Sequence, residues 1–135
     1  MQIKEDKETL HKIYNEICDK VAFFLKYNLQ KIIIGCFYVK NFSVPIMQIW
    51  VRLKNQNEYK TFNSYIKGIE IITMDLQDKC EELHDFCNEY GDDWKSFTFI
   101  FADNMRFSAK YEYESIKTID RLFLLDWKGK YFYAE

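Results

Sequence analysis

One proline and four glycines in 135 residues leave no room for collagen-like repeats, Pro/Gly-rich linkers or extended flexible tracts. Apolar runs are only a few residues long, whereas a membrane-spanning helix needs roughly 20, so no transmembrane segment is expected. The charged opening Met1–Glu8 is followed by no apolar h-region, which argues against a secretory signal. Four cysteines (Cys18, Cys36, Cys80, Cys87) form no C-x-x-C pair and read as reduced, mostly buried thiols, not as a disulfide framework. Gly-rich phosphate loops, G-x-S-x-G elbows and H-E-x-x-H motifs are all missing. Histidine occurs only twice, as His11 and His84. These absences argue against membrane insertion, disorder and the familiar catalytic signatures.

What remains is a chain that is 48% apolar and 19% aromatic, enough to build one core. We read it as one soluble, cytoplasmic domain spanning residues 1–135. The net charge of −2 conceals an uneven distribution. Lys20 to Lys67 holds eight basic residues and one acid, Glu58, whereas Asp75 to Asp93 holds eight acids and one base, Lys79.

Periodicity organises the chain. Leu10, Ile13, Tyr14, Ile17, Val21, Phe24 and Leu25 recur at helical spacing, predicting an amphipathic helix over Glu5 to Tyr27. Gln30 to Lys40 and Pro45 to Lys54 read as strands joined by a turn at Asn41-Phe42-Ser43, with a short third strand near Tyr59 to Phe62. A second helix is expected from Ile69 to Tyr90, closed by Gly91 in a left-handed conformation. Its apolar stripe comprises Ile69, Ile72, Thr73, Leu76, Cys80, Leu83, Cys87 and Tyr90. Asp78, Glu82, Asp85 and Glu89 lie opposite, flanked by Asp75 and Glu81.

Strands at Ser96 to Phe101 and Met105 to Tyr113 follow. Placing Phe97, Phe99 and Phe101 opposite Phe107, Ala109 and Tyr111 requires a connection with an odd number of residues. A three-residue loop, Asp103-Asn104-Met105, satisfies that. A last helix is expected at Ile116 to Trp127, then an aromatic tail, Tyr131-Phe132-Tyr133. The expected class is α+β, order α-β-β-(β)-α-β-β-α, an antiparallel sheet of four to five strands with helices on one face.

Chemistry is harder to assemble. Cys80, His84 and Cys87 share one helix face, but three ligands on a single helix with no second cluster is a poor metal motif. We expect no metal, no cofactor, no catalytic residue and hence no enzyme. His11 reads as a solvated surface residue. The acidic face of the second helix has a bland reading, solubility, and a sharper one, a surface for a basic partner. Helical carboxylates about 5–6 Å apart, continued by Asp92, Asp93, Glu112 and Glu114, imitate a run of phosphates.

The motifs also carry a resemblance. Leu10-His11-Lys12-Ile13-Tyr14-Asn15-Glu16-Ile17, the acidic stretches Asp75-Leu76-Gln77 and Glu81-Glu82-Leu83-His84-Asp85, Trp94-Lys95-Ser96-Phe97-Thr98-Phe99 and Arg106 to Tyr113 resemble the YezG-like immunity proteins, the antitoxins of bacterial polymorphic nuclease toxins. Asp120-Arg121, Trp127 and Tyr131 are similar to that family's C-terminal pattern. The resemblance implies a cytoplasmic inhibitor of the C-terminal domain of a cognate nuclease toxin, acting on RNA or DNA, with no catalytic residues of its own. The expected partner surface is Asp78, Glu82, Asp85, Glu89, Asp92, Asp93, Trp94, Glu112 and Glu114, with Tyr90, Trp94, Tyr111 and Tyr113 as aromatic anchors. No direct nucleic-acid or membrane binding is expected, and the chain is expected to be a monomer or weak homodimer. The rival readings are a small α+β ligand-binding domain, which needs an apolar cavity with convergent polar groups, and a nucleic-acid-binding module. The second would stack bases on Trp50, Phe97, Phe99, Phe101, Tyr111 and Tyr113, aromatics better read as core.

Overall fold

A run of β-branched and aromatic residues, Ile32-Ile33-Ile34 through Phe37, suits a strand covered on both faces, and it forms the centre of the sheet. The computed structural model describes residues 3–22, 29–61, 70–102 and 106–132. Its order is α1 (Ile3–Ala22), β1 (Leu29–Phe37), β2 (Ile46–Leu53), β3 (Tyr59–Thr61), α2 (Glu70–Glu89), β4 (Ser96–Ala102), β5 (Phe107–Glu112) and α3 (Arg121–Tyr131). The five strands lie in the order β3-β2-β1-β4-β5, every neighbouring pair antiparallel. This is the α+β fold read from the pattern. Among the described residues no helix is long and apolar enough to cross a membrane.

The β4–β5 register matches the parity argument: Phe97 pairs Tyr111, Phe99 pairs Ala109 and Phe101 pairs Phe107. The amide of Ala102 donates to the carbonyl of Arg106 at 2.9 Å, closing the hairpin around the three-residue connection. That connection, Asp103-Asn104-Met105, lies outside the described residues, as do Phe24, Leu25, Tyr27, Phe62, Ile69 and Tyr133. Asn41 takes φ 73° in the expected β1–β2 turn, and Pro45 directly precedes β2.

Period-two alternation sends the two faces of the sheet to different partners. Ile32, Ile34, Cys36, Val51, Phe97, Phe99 and Phe101 join Ile13, Ile17 and Val21 of α1 and Leu76, Cys80 and Leu83 of α2 in one buried cluster. Ile33, Phe37 and Ile100 instead meet Trp127, Tyr131 and Phe132 in a second cluster on the opposite face. The expectation of helices on one face is therefore corrected. Helices α1 and α2 cover one side and α3 covers the other, because from Ile32 to Phe37 both residue parities of β1 carry apolar side chains and each needs cover.

Gly35 makes the second layer possible. A Cβ there would come within 2.6 Å of Phe37 Cζ and 2.7 Å of Trp127 Cζ2, so any other residue would displace one of these rings. Trp127 donates its Nε1–H to Thr98 Oγ1 at 2.9 Å and meets Phe37 edge-on at 5.4 Å.

The last helix also starts later than the spacing suggests. Ile116 forms a parallel bridge with Val39, and its carbonyl accepts from the Lys40 amide at 2.8 Å, so that stretch is extended. Asp120 then caps α3, its Oδ1 accepting from the Phe123 amide at 2.9 Å. Tyr131 and Phe132, expected to form a separate aromatic tail, are the last turn of this helix and pack into the second cluster.

Candidate functional site

Helix α2 is held by an apolar stripe at three- and four-residue spacing. Leu76, Cys80, Leu83 and Cys87 are all buried against the sheet. The opposite side is left to solvent, and there Asp78, Glu82, Asp85 and Glu89 are exposed in sequence along the helix, with Glu81 half-buried beside them. At a rise of about 1.5 Å per residue, the carboxylates recur at steps of roughly 5–6 Å. Phe86, which the sequence analysis did not single out, and the flanking Glu81 line the same open groove as the four expected acids.

One member of the row is paired: the Lys79 ammonium bridges to α1, lying 3.1 Å from Glu82 and 3.0 Å from Glu16. Those two hydrogen bonds push the Lys79 ammonium above its ordinary pKa, and the same contact lowers that of Glu16. Lys20 reaches Asp75 at 3.7 Å. Among the described residues no ion pair engages Asp78, Glu81, Asp85 or Glu89.

The C-terminal end of α2 turns sharply. Gly91 adopts φ 82°, its amide donates to the Asn88 carbonyl, and the Asp92 amide reaches back to the Cys87 carbonyl, both at 3.0 Å. This pair of bonds closes the helix and fixes where the next acids stand. Asp92 accepts a 2.7 Å hydrogen bond from the Tyr113 hydroxyl. Asp93 lies 2.8 Å from the Lys95 ammonium and 3.6 Å from His84 Nε2. The hydrogen bond from Lys95 holds the Asp93 carboxyl below its usual range, with His84 adding to the effect. Asp93 is thus a neutralised continuation of the row, and Asp92 is its hydrogen-bonded end.

Trp94 requires a correction. Expected at the partner surface, it has no exposed area at all. Its ring is enclosed by Tyr38, Phe97 and Tyr111 at centroid separations of 5.5–5.7 Å, so it holds the α2–β4 corner together and cannot anchor a partner. Tyr111 is likewise drawn inward, half-buried, with its hydroxyl bonded to that of Tyr14. The remaining aromatic candidates stay outside: Tyr90 is 46% exposed and Tyr113 57%. Tyr90 packs on Phe86 at 5.2 Å, placing an apolar edge beside Glu89.

Glu112 and Glu114 are also relocated. Glu112 pairs with Ser96 in the β4–β5 ladder and shares its side of the sheet, the side covered by α3. There it binds the Lys130 ammonium and the Tyr131 hydroxyl, each at 2.8 Å. Burial works against its charge, but those two hydrogen bonds outweigh it and the carboxyl sits below its ordinary range. Glu114 lines the same cleft beside α3 as Glu112. Neither extends the α2 row.

His84 proves structural in its contacts. Its ring stacks on Tyr38 at 3.8 Å, and Nε2 donates to the Trp94 carbonyl at 3.0 Å. Cys80 and Cys87, its neighbours on the helix, are buried in the core. Among the described residues no group of three or more His, Cys, Asp or Glu side chains is arranged to hold a metal ion. His11 is exposed on α1. Several basic residues of the N-terminal half lie apart from one another, Arg52 over the Tyr59 ring at 5.5 Å and Lys40 in the β1–β2 turn. No protein-family model matches the chain, and no curated protein matches it.

Proposed function

We propose that this chain is an immunity protein, a cytoplasmic stoichiometric inhibitor that blocks the nuclease domain of a cognate bacterial toxin. The observation that carries the reading is the exposed row Asp78, Glu82, Asp85 and Glu89 on α2, in which, among the described residues, only Glu82 is in an ion pair, with Lys79. A nuclease holds its polyanionic substrate in a basic groove, and a straight row of carboxylates on a rigid helix suits that groove. Charge of this kind steers encounter and sets orientation. Tight inhibition also needs apolar anchoring, since nanomolar binding corresponds to about −12 kcal/mol. Tyr90, Phe86 and Tyr113 supply candidate anchors at the row's C-terminal end. The resemblance to YezG-like immunity proteins points the same way.

The reading expects a neighbouring gene for a large secreted protein with a C-terminal nuclease domain, and that domain is the test's substrate. An equimolar amount of the chain is expected to abolish its cleavage of RNA or DNA. Glu82→Lys with Asp85→Lys is expected to slow association at low salt by about tenfold or more, with the difference shrinking as salt rises. Undiminished cleavage at equimolar mixing overturns the inhibitor reading. Unchanged association kinetics in the double variant overturn the acidic interface.

A further inference from the structure

Among the described residues the sheet has two edges, β3 with three residues and β5 with six. An edge strand presents a row of main-chain groups that a further strand can pair. The phase of the hydrogen bonds tells which groups of β5 those are. The Ala102 amide donates to the Arg106 carbonyl on the β5 side of β4, and the Tyr38 amide donates to the Lys95 carbonyl on the β1 side. By the alternation of antiparallel ladders, Thr98 and Ile100 bond to Lys110 and Ser108, whereas Phe97, Phe99 and Phe101 bond to β1. Phe107, Ala109 and Tyr111 are therefore the residues of β5 whose N–H and C=O groups point away from the sheet. Among the described residues no backbone bond outside the strand ladders engages these three.

The side chains along this edge fit a second copy of the same strand. Phe107 is 48% exposed, and Arg106, Ser108 and Lys110 are exposed beside it. An antiparallel pairing of β5 with its copy must keep each side chain on its own face, which leaves few registers. Centred on Ser108, it sets Arg106 against Lys110; centred on Lys110, it sets that lysine against itself. Like charges directly opposed are unfavourable. Centred on Tyr111, it leaves half of the strand without a partner. Centred on Ala109, it sets Arg106 against Glu112 and Phe107 against Tyr111, each twice, and Lys110 against Ser108. That register is also the one that pairs all three outward residues with one another. Glu112 already holds Lys130 and Tyr131, so Arg106 adds register more than strength.

We propose that two copies of this chain associate through β5, antiparallel and centred on Ala109, joining their sheets into one. The contact rests on a single strand, so the association is weak and depends on concentration.

Sedimentation of the full chain from about 1 μM to about 1 mM is expected to show monomer passing to dimer. Amide exchange over the same range locates the contact. Ser108 and Lys110, bonded to β4, are expected to be protected throughout, whereas Phe107, Ala109 and Tyr111 gain protection only as dimer forms. Ala109→Pro removes an outward N–H that the chain's own sheet does not use, a position where an edge strand tolerates proline. It is expected to weaken dimerisation by about tenfold or more while the far-ultraviolet circular dichroism stays that of the parent. Arg106→Glu, at an exposed position, sets like charges together twice and is expected to weaken it by about fivefold; it carries the test if the proline variant loses the parent spectrum. A chain that stays monomeric throughout overturns the proposal, as do dimers whose outward β5 amides exchange as in the monomer, or an Arg106→Glu variant that dimerises like the parent. Protection of those amides by the nuclease domain, but not by raised chain concentration, assigns the edge to a foreign strand and overturns self-pairing.

Discussion

Glu112 illustrates how one residue's role follows from its side of a strand. Its neighbour Tyr111 faces α1 and α2, so Glu112 must face the other way, toward Lys130 and Tyr131 of α3. The same alternation that predicted the β4–β5 register already separates Glu112 from α2, yet the charge count by itself grouped them. The ion pair couples Glu112 to pH. Its folded carboxyl keeps its charge to lower pH than the unfolded one, whose value is near 4.5, so on acidification the unfolded chain takes up the proton first. The stabilisation is complete above the unfolded value and is lost as pH falls through the lowered folded one. Glu112→Gln is therefore expected to flatten the acid limb of a urea-midpoint profile between neutrality and about pH 3. A profile parallel to that of the parent chain would show that the contact carries no pH-dependent stability. Tyr131, held neutral by burial and then by Glu112, is pushed up to about 12, so its share of stability is present below the ordinary tyrosine value of 10.0 and lost as pH rises through 12.

At the scale of elements, α2 was the most legible part of the chain. A buried stripe and an opposed charged face both repeat at the helical period, and a helix shows both in one dimension. That is why Asp78, Glu82, Asp85 and Glu89 were identifiable as one exposed row. Helix α3 was less so, because the apolar residues Ile116 and Ile119 extend its pattern backward into a segment that bridges to β1 instead. What begins the helix is the Asp120 side chain, which satisfies an amide that would otherwise lack a partner. Asp120→Ala is expected to cost about 0.5–2 kcal/mol in denaturant unfolding, while Asp120→Asn, an equally good cap, retains most of it. Equal losses in the two variants would show that capping does not set the helix start. Trp94 failed as a surface candidate for a related reason. It follows an acidic turn and looks exposed by its neighbours, but the closure around Gly91 swings it inward onto Tyr38 and Phe97.

Across the whole molecule, two hydrophobic clusters share one sheet. Strands β1 and β4 supply residues to both, so neither layer keeps its cover if the sheet comes apart. Trp127→Ala removes the largest side chain of the α3 layer and is expected to cost about 3–5 kcal/mol. The loss should appear as one shifted transition, with Trp94 emission and far-ultraviolet circular dichroism unfolding together. Separate transitions would mean that the α3 layer melts independently of the α1–α2 layer. The same architecture divides the surface. The α2 row lies on one flank and the Glu112–Lys130 cleft on the other, so the charges that run consecutively in the chain serve two places.

From the sequence came the elements, their rough limits, the β4–β5 register and the polarity of each helix. All of these rest on periodicities that neighbouring side chains impose on one another, and such local rules operate without distant partners. Which face of the sheet each helix covers was decided only in three dimensions. It depends on Gly35 admitting Trp127, on Ile116 pairing with Val39, and on both parities of β1 needing cover. These are contacts between residues far apart in the chain, and their energies exist only once the layers have packed. That packing took Trp94 inside, placed Glu112 and Glu114 beside α3, and left the acidic row of α2 facing outward.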